Sequence, residues 1–207
     1  MRRSLALIVP WSLSLAALVL SGCSEGHFAN TPYLGQEYQT AVIGNENRPH
    51  EVVDNISYWS GGGSGAPSIT INLSEQRAYF YRGGQVIGVA LVATGKEGYD
   101  TPAGTFHIME KIQDKESDLF GWMYDASGNV VSYDADIRRD PVPPGGRFEG
   151  AKMPYWMRLT GGGVGMHQGP IPVPGSPASH GCIRVSKLVI ADFYNAAQVG
   201  MPVRIIY

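Results

Sequence analysis

SITINLSEQRAYFYRGGQVIGVALVATGK, residues 68–96, sets the fold class. Residues 68–73 alternate strictly, which puts Ile69, Ile71 and Leu73 on one face of a β-strand. Residues 77–82, RAYFYR, are aromatic-rich and stop at Gly83-Gly84, a two-residue hairpin turn. Residues 85–93 are apolar on both faces, the pattern of a central strand. Beyond this core, residues 100–104 read as a loop and 105–109 as a strand. Regular texture returns at 155–159 and 164–167, and Val203, Ile205 and Tyr207 alternate in a final strand. One helix is expected, carried by residues 187–199, capped by Ser186 and stopped by Gly200, with Ile190, Phe193 and Ala197 on one side. With 27 glycines, 14 prolines and 16% charged residues, the expected fold is mainly β. It is a largely antiparallel sandwich or barrel with one packed helix.

Residues 111–153 interrupt this texture. They are polar, with Asp, Gly and Pro scattered through them, and a stretch of that length between strands is an active-site lid or a disordered insertion. Leu119, Phe120, Trp122, Met123 and Tyr124 favour an ordered lid.

The N-terminus has a different purpose. Arg2 and Arg3 precede an apolar run to Leu20, and small residues Ser21 and Gly22 lead to Cys23, the layout of a secretory signal over residues 1–22. The apolar run is short for a spanning helix, which needs about 20 residues, and Pro10 interrupts it; an uncleaved N-terminal anchor is the alternative. Leu20-Ser21-Gly22-Cys23 resembles the bacterial lipoprotein processing box, in which the cysteine is lipidated and becomes the first mature residue. The resemblance implies export and a lipid anchor on Cys23 in a bacterial membrane, facing the periplasm and cell wall. Residues 23–67 then read as a tether ending in the flexible run 61–67, and 68–207 as the one folded domain. As a coil such a tether would average about 35–40 Å end to end; Tyr33, Tyr38, Tyr58 and Trp59 are candidates to pack on the domain instead.

Charge excludes one class of partner. The chain carries −2 overall, and −4 if cut before Cys23. It has no basic run, so nucleic acid is not an expected partner. A monomer is expected.

The chain has two cysteines, Cys23 and Cys182. A lipidated Cys23 cannot form a disulfide, which leaves Cys182 a lone thiol in an oxidising compartment. Its surroundings, GMHQGPIPVPGSPASHGCIRVS, are those of a reactive group. A thiol is a poor nucleophile until an imidazole takes its proton. His180, two residues before it, would lie about 6.6–6.8 Å away along an extended segment. His167 ends another strand and can approach through space. His167 is therefore assigned as the base and His180 as a wall of the site. Gly181 permits a tight turn and close approach of a substrate, leaving the Gly181 and Cys182 N–H groups to face a developing oxyanion. Zinc on His167, His180 and Cys182 is disfavoured by the ligand spacing and the lack of a fourth ligand. A buried structural cysteine with satisfied histidines is the remaining alternative.

Ser179-His180-Gly181-Cys182-Ile183-Arg184, with His167 upstream, resembles the signature of the L,D-transpeptidase family (the YkuD-type catalytic domain). The likeness extends to residues 71–77, which match the family's first hairpin, and to Thr94-Gly95-Lys96 with 101–106, and so covers 68–207. It implies a β-sandwich enzyme without metal or organic cofactor whose cysteine is acylated by a peptidoglycan stem tetrapeptide, releasing D-alanine, before transfer to an amine. It implies Cys182 as nucleophile, His167 as base, and His180 and Gly181 shaping the oxyanion hole with Cys182. Arg184 would brace the site or meet a substrate carboxylate, Ser179 would support the motif, Trp156 and Met157 would line the cleft, and 111–153 would be the lid. Gln168 departs from the usual His-Gly-Ser/Thr, though its backbone carbonyl can still orient the imidazole. A purely hydrolytic L,D-carboxypeptidase or cysteine peptidase, and an inactive wall-binding lipoprotein, are the competing readings.

Overall fold

Residues 67–93 fold as three adjacent antiparallel strands in the computed structural model, which describes residues 54–207 together with three short strands nearer the N-terminus. Those three, β1 (Phe28–Ala29), β2 (Thr40–Ile43) and β3 (Glu51–Val52), form an antiparallel sheet of their own. The expected signal segment and Cys23 lie outside the described residues.

The next strand, β4 (Tyr58–Trp59), falls where a linker was expected. It pairs antiparallel with β7 (Gln85–Ala93), Tyr58 opposite Val89 and Trp59 opposite Gly88. A Cβ on Gly88 would stand 2.4 Å from the Trp59 ring, so the glycine opens the seat that the indole fills. Trp59 packs edge-on against Phe80 at 5.2 Å and against Phe193 at 5.6 Å. Ser57 Oγ accepts from Leu91 N, and Ser60 N donates to Ile87 O. The ordered fold therefore starts ahead of residue 68, because an aromatic anchor and ladder hydrogen bonds outweigh the glycine-rich composition. Trp59→Ala is expected to cost about 3 kcal/mol, read from urea unfolding of the full chain.

β5 (Pro67–Asn72) and β6 (Arg77–Arg82) form the first hairpin, and Gly83 and Gly84, at φ 55° and 83°, turn β6 into β7. Both positions of this turn type need positive φ, the reason for the glycine pair. β8 (Gly104–His107), β9 (Glu110–Tyr124), β10 (Val130–Asp136), β11 (Arg147–Arg158), β12 (Gly165–Gln168), β13 (Ile183–Val185), helix α1 (Ile190–Ala196) and β14 (Pro202–Ile206) follow. The large sheet runs β10-β9-β11-β12-β13-β7-β6-β5-β14-β8, with β4 beside β7. It curls around one core that includes Ile71, Phe80, Met166, Ile183, Phe193 and Val203. The fold is mainly β with one helix, as expected. Two pairings are parallel, β12 with β13 and β14 with β5.

The expected helix is shorter than its hydrophobic pattern. Residues 187–189 form a turn, Ser186 Oγ accepts from Leu188 N, and α1 begins only at Ile190. At its other end Lys111 Nζ donates to the Tyr194 and Ala197 carbonyls at 2.6 and 2.7 Å, satisfying acceptors that a helix end leaves open.

Residues 111–153 are mostly strand, with a turn at 125–129 and a loop at 137–146. β9 and β11 pair over most of their lengths, and β10 adds an edge strand. Gly121 stands opposite Gly150, and a Cβ on either would lie 2.1 Å from a carbonyl oxygen of the facing strand. The extension is held by backbone pairing at close approach, with much of both faces exposed.

Candidate active site

The β12–β13 pairing brings the distant segments of the motif together. His167 stands opposite Arg184 in parallel register, and Met166 opposite Ile183. Cys182 lies in the bend just ahead of β13, so the motif contributes Cys182 and Arg184 to the site and β12 contributes His167. All three line one groove of about 400 Å³ between the sheet and the β9–β11 extension. Cys182 is half-buried, and its thiol donates to the Gly163 carbonyl at 3.6 Å.

His167 is 6% exposed. Its Nδ1 faces the Gln168 carbonyl at 2.7 Å. A carbonyl only accepts, so Nδ1 carries the proton and Nε2 keeps the lone pair a base requires. The backbone of Gln168 thus orients the ring despite the unusual side chain. Burial pushes the imidazole pKa down to about 4, with the Arg184 charge acting the same way and the Gln168 carbonyl opposing. Burial pushes the Cys182 thiol up, against a backbone hydrogen bond from Gly165 and the Arg184 and Arg158 charges. Both shifts favour the thiol and the neutral imidazole over the ion pair.

The turn before the nucleophile is built by Ser179 and Thr101. Ser179 is 1% exposed. Its hydroxyl accepts from Gly181 N at 3.1 Å and donates to the Cys182 carbonyl. The Gly181 N–H is therefore committed inside the turn, which corrects the expectation that it would face an oxyanion; the Cys182 N–H is the remaining donor. Ser179, expected at the substrate, borders the groove, and its hydroxyl braces the turn through both backbone contacts. Thr101 is 4% exposed. Its Oγ1 donates to the Gly181 carbonyl and accepts from Gly95 N, both at 2.8 Å. Gly181 sits at φ 101°, a conformation that L side chains rarely adopt. The backbone of Thr94 accepts from Ala178 and Ser179, and Gln76 clamps Thr94 from below through its amide nitrogen and oxygen. A buried polar chain thus runs from the first hairpin to the nucleophile. Nothing in the composition of this chain announces Thr101 or Gln76; only the fold brings them under the turn.

His180 forms a wall of the groove. Its ring stacks on Phe120 of β9 at 4.3 Å and 6°, meets Tyr99 edge-on, and has Nε2 3.4 Å from Asp134 of β10. Lys96 also pairs with Asp134, at 3.0 Å. Arg184 packs its stem on Gly169, where a Cβ would lie 2.8 Å away, and its guanidinium reaches the Pro170 carbonyl at 3.4 Å. Trp156 and Met157 do not line the groove. They are 2% and 0% exposed, because β11 is covered on both faces here: the indole packs under Gly165 and Met157 enters the core. Among the described residues no group of three His, Cys, Asp or Glu side chains is placed to hold a metal ion.

The arrangement supplies a thiol at the floor of an open groove, a buried neutral base on the adjoining strand, and a rigid glycine turn. It is suited to acyl transfer through a thioester.

The family model of the L,D-transpeptidase catalytic domain (YkuD) matches residues 66–205. Among solved structures, an L,D-transpeptidase from Mycobacterium smegmatis is 22% identical, covering 69% of this chain and 59% of that one at a TM-score of 0.53. The LD transpeptidase LdtMt1 in complex with imipenem is 26% identical over 68% of this chain and 59% of its own, with a TM-score of 0.52. L,D-transpeptidase 3 from Mycobacterium tuberculosis is 22% identical, with 69% and 61% covered and a TM-score of 0.51. The chain spans less than two thirds of the length of each of these structures. The comparison with curated proteins gives no match.

Proposed function

The chain belongs to the YkuD family of L,D-transpeptidase catalytic domains, and from that membership we propose that it is a peptidoglycan L,D-transpeptidase with Cys182 as nucleophile. The observation that carries the reading is that Cys182, just ahead of β13, and His167, on the adjoining β12, line one groove.

In this mechanism a stem tetrapeptide lies in the groove with its last peptide carbonyl at Cys182. The sulfur attacks that carbon while its proton passes to His167 Nε2. The tetrahedral oxyanion is met by the Cys182 N–H, held in place by the turn. The C–N bond to D-alanine then breaks, and the imidazolium gives its proton to the departing amine. This leaves a thioester on Cys182 and a neutral His167. An acceptor amine attacks the thioester, His167 takes its proton, and the thiol is regenerated as a new amide forms. A stem amine would give a cross-link, a protein lysine would attach a protein to the wall, and water would give carboxypeptidase activity. Arg184, partly buried beside the nucleophile, is the cation available to a substrate carboxylate. The opening of the sequence supports a matching location: an exported protein held by lipid on Cys23 at a bacterial membrane, facing the wall.

Incubating the full chain with a tetrapeptide donor and an amine acceptor tests the reading. Release of D-alanine with formation of the cross-linked amide supports it. D-alanine release with only the free tripeptide acid makes the protein a hydrolase, and no release removes the assignment.

Thr101 acts here by positioning. Its hydroxyl fixes the Gly181 carbonyl, and hence the peptide plane that aims the Cys182 N–H. Thr101→Val is expected to lower the acylation rate about 10–100-fold, less than the roughly 10²–10³-fold cost of removing an oxyanion donor outright, because the donor is misaimed and not lost. Thr101→Ser, which keeps both hydrogen bonds, restores it. A purely structural role would appear instead as equal rates for the folded fraction of both variants.

A further inference from the structure

We propose that Trp122 and Tyr133 form a stacking platform for a neutral sugar ring, so that the groove binds the glycan from which a stem peptide hangs as well as the peptide itself. The proposal rests on the transpeptidase reading above. Trp122 of β9 and Tyr133 of β10 are 46% and 70% exposed, an unusual cost for two large aromatic groups on a surface. Their rings meet edge-to-face at 5.5 Å and 79°, and both border the groove that holds Cys182. Their direction is not an accident of a loop. Both stand on paired strands, and Met123, the next residue after Trp122, points the other way and is 3% exposed.

The chemistry around the rings selects the occupant. Glu149 stands opposite Trp122 in the ladder and borders the same groove, as does Asp134, whose second oxygen is left over from its pairing with Lys96 and His180. Carboxylates only accept hydrogen bonds, so they suit a ligand rich in hydroxyl and amide donors. A pyranose offers an apolar C–H face for an aromatic ring and a rim of donors for carboxylates. Three extended stem residues between the attacked carbonyl and the sugar span roughly 10–11 Å, so a stem seated at Cys182 carries its sugar away from the nucleophile along the groove that Trp122 and Tyr133 also border.

The test compares kcat/KM for D-alanine release from a free tetrapeptide and from the same peptide on its N-acetylated disaccharide, using the full chain. The expected result is a preference of about tenfold for the disaccharide form, the size of one good stacking contact. Trp122→Ala and Tyr133→Ala should each bring the ratio toward one. Equal values in the unaltered protein, or a preference that survives both substitutions, overturns the proposal. If neither substrate turns over, the transpeptidase reading fails, and the platform is then judged by direct binding. A β-1,4-linked N-acetylglucosamine trimer should give a saturable change in tryptophan fluorescence, with an affinity that Tyr133→Ala weakens several-fold. No saturable change, or an unaltered affinity in that variant, overturns it.

Discussion

Replacing Cys182 with alanine abolishes D-alanine release from a tetrapeptide donor, a fall of at least about 10⁴-fold in kcat. The size follows from the absence of a substitute. Among the described residues Cys182 is the sole free cysteine. The nearby Ser179 hydroxyl is engaged by Gly181 and Cys182 backbone groups and cannot turn to attack. Half-buried and small, Cys182 can lose its sulfur with little effect on the core. The variant should therefore unfold at nearly the same urea concentration as the parent, and the lost activity then reports chemistry. Substantial release by folded Cys182→Ala would move the nucleophile elsewhere.

His167→Gln lowers acylation at neutral pH by about 10²–10⁴-fold, the usual contribution of a positioned general base. It also changes the pH profile, and the sign follows from the two displaced pKa values. In the parent, His167 is a base whenever it is unprotonated, which burial extends down to about pH 4. Cys182 stays protonated through neutral pH because burial raises its pKa. The acylation rate should thus be nearly flat from about pH 5 to 8 and fall as pH drops through about 4. Without the imidazole only the small thiolate fraction reacts, so the His167→Gln rate should rise about tenfold per pH unit up to the thiol pKa. An acid limb near pH 6–7 in the parent would mean an exposed or ion-paired imidazole, contrary to the buried ring held by Gln168.

Part of this design is legible in one sequence. The period of two over residues 68–73 fixes the buried face of β5, and the Gly83-Gly84 turn fixes the β6–β7 hairpin, because burial of one face and positive φ leave few alternatives. The His167 and Cys182 pairing is legible through motif spacing, although only the parallel β12–β13 pairing brings the two to one groove. The β9–β11 extension is not legible. Much of each strand is exposed on both faces, so no hydrophobic period marks it, and its pairing depends on close approach at Gly121 and Gly150. Trp156 and Met157 look like cleft residues beside a catalytic strand, yet both faces of β11 are covered there. The fate of the Gly181 N–H was hidden for another reason. A serine two residues earlier can accept that bond or turn away, and the choice is made by the Thr94 and Thr101 contacts beneath the turn.

The central claim is that the sulfur of residue 182 becomes acylated with the imidazole of residue 167 as its base. Peptide mapping by mass spectrometry after exposure of the full chain to a carbapenem tests it most directly. The account predicts one covalent adduct, carried by the peptide containing Cys182 and formed far more slowly in His167→Gln. An adduct on any other residue, or one that persists in Cys182→Ala, would contradict it.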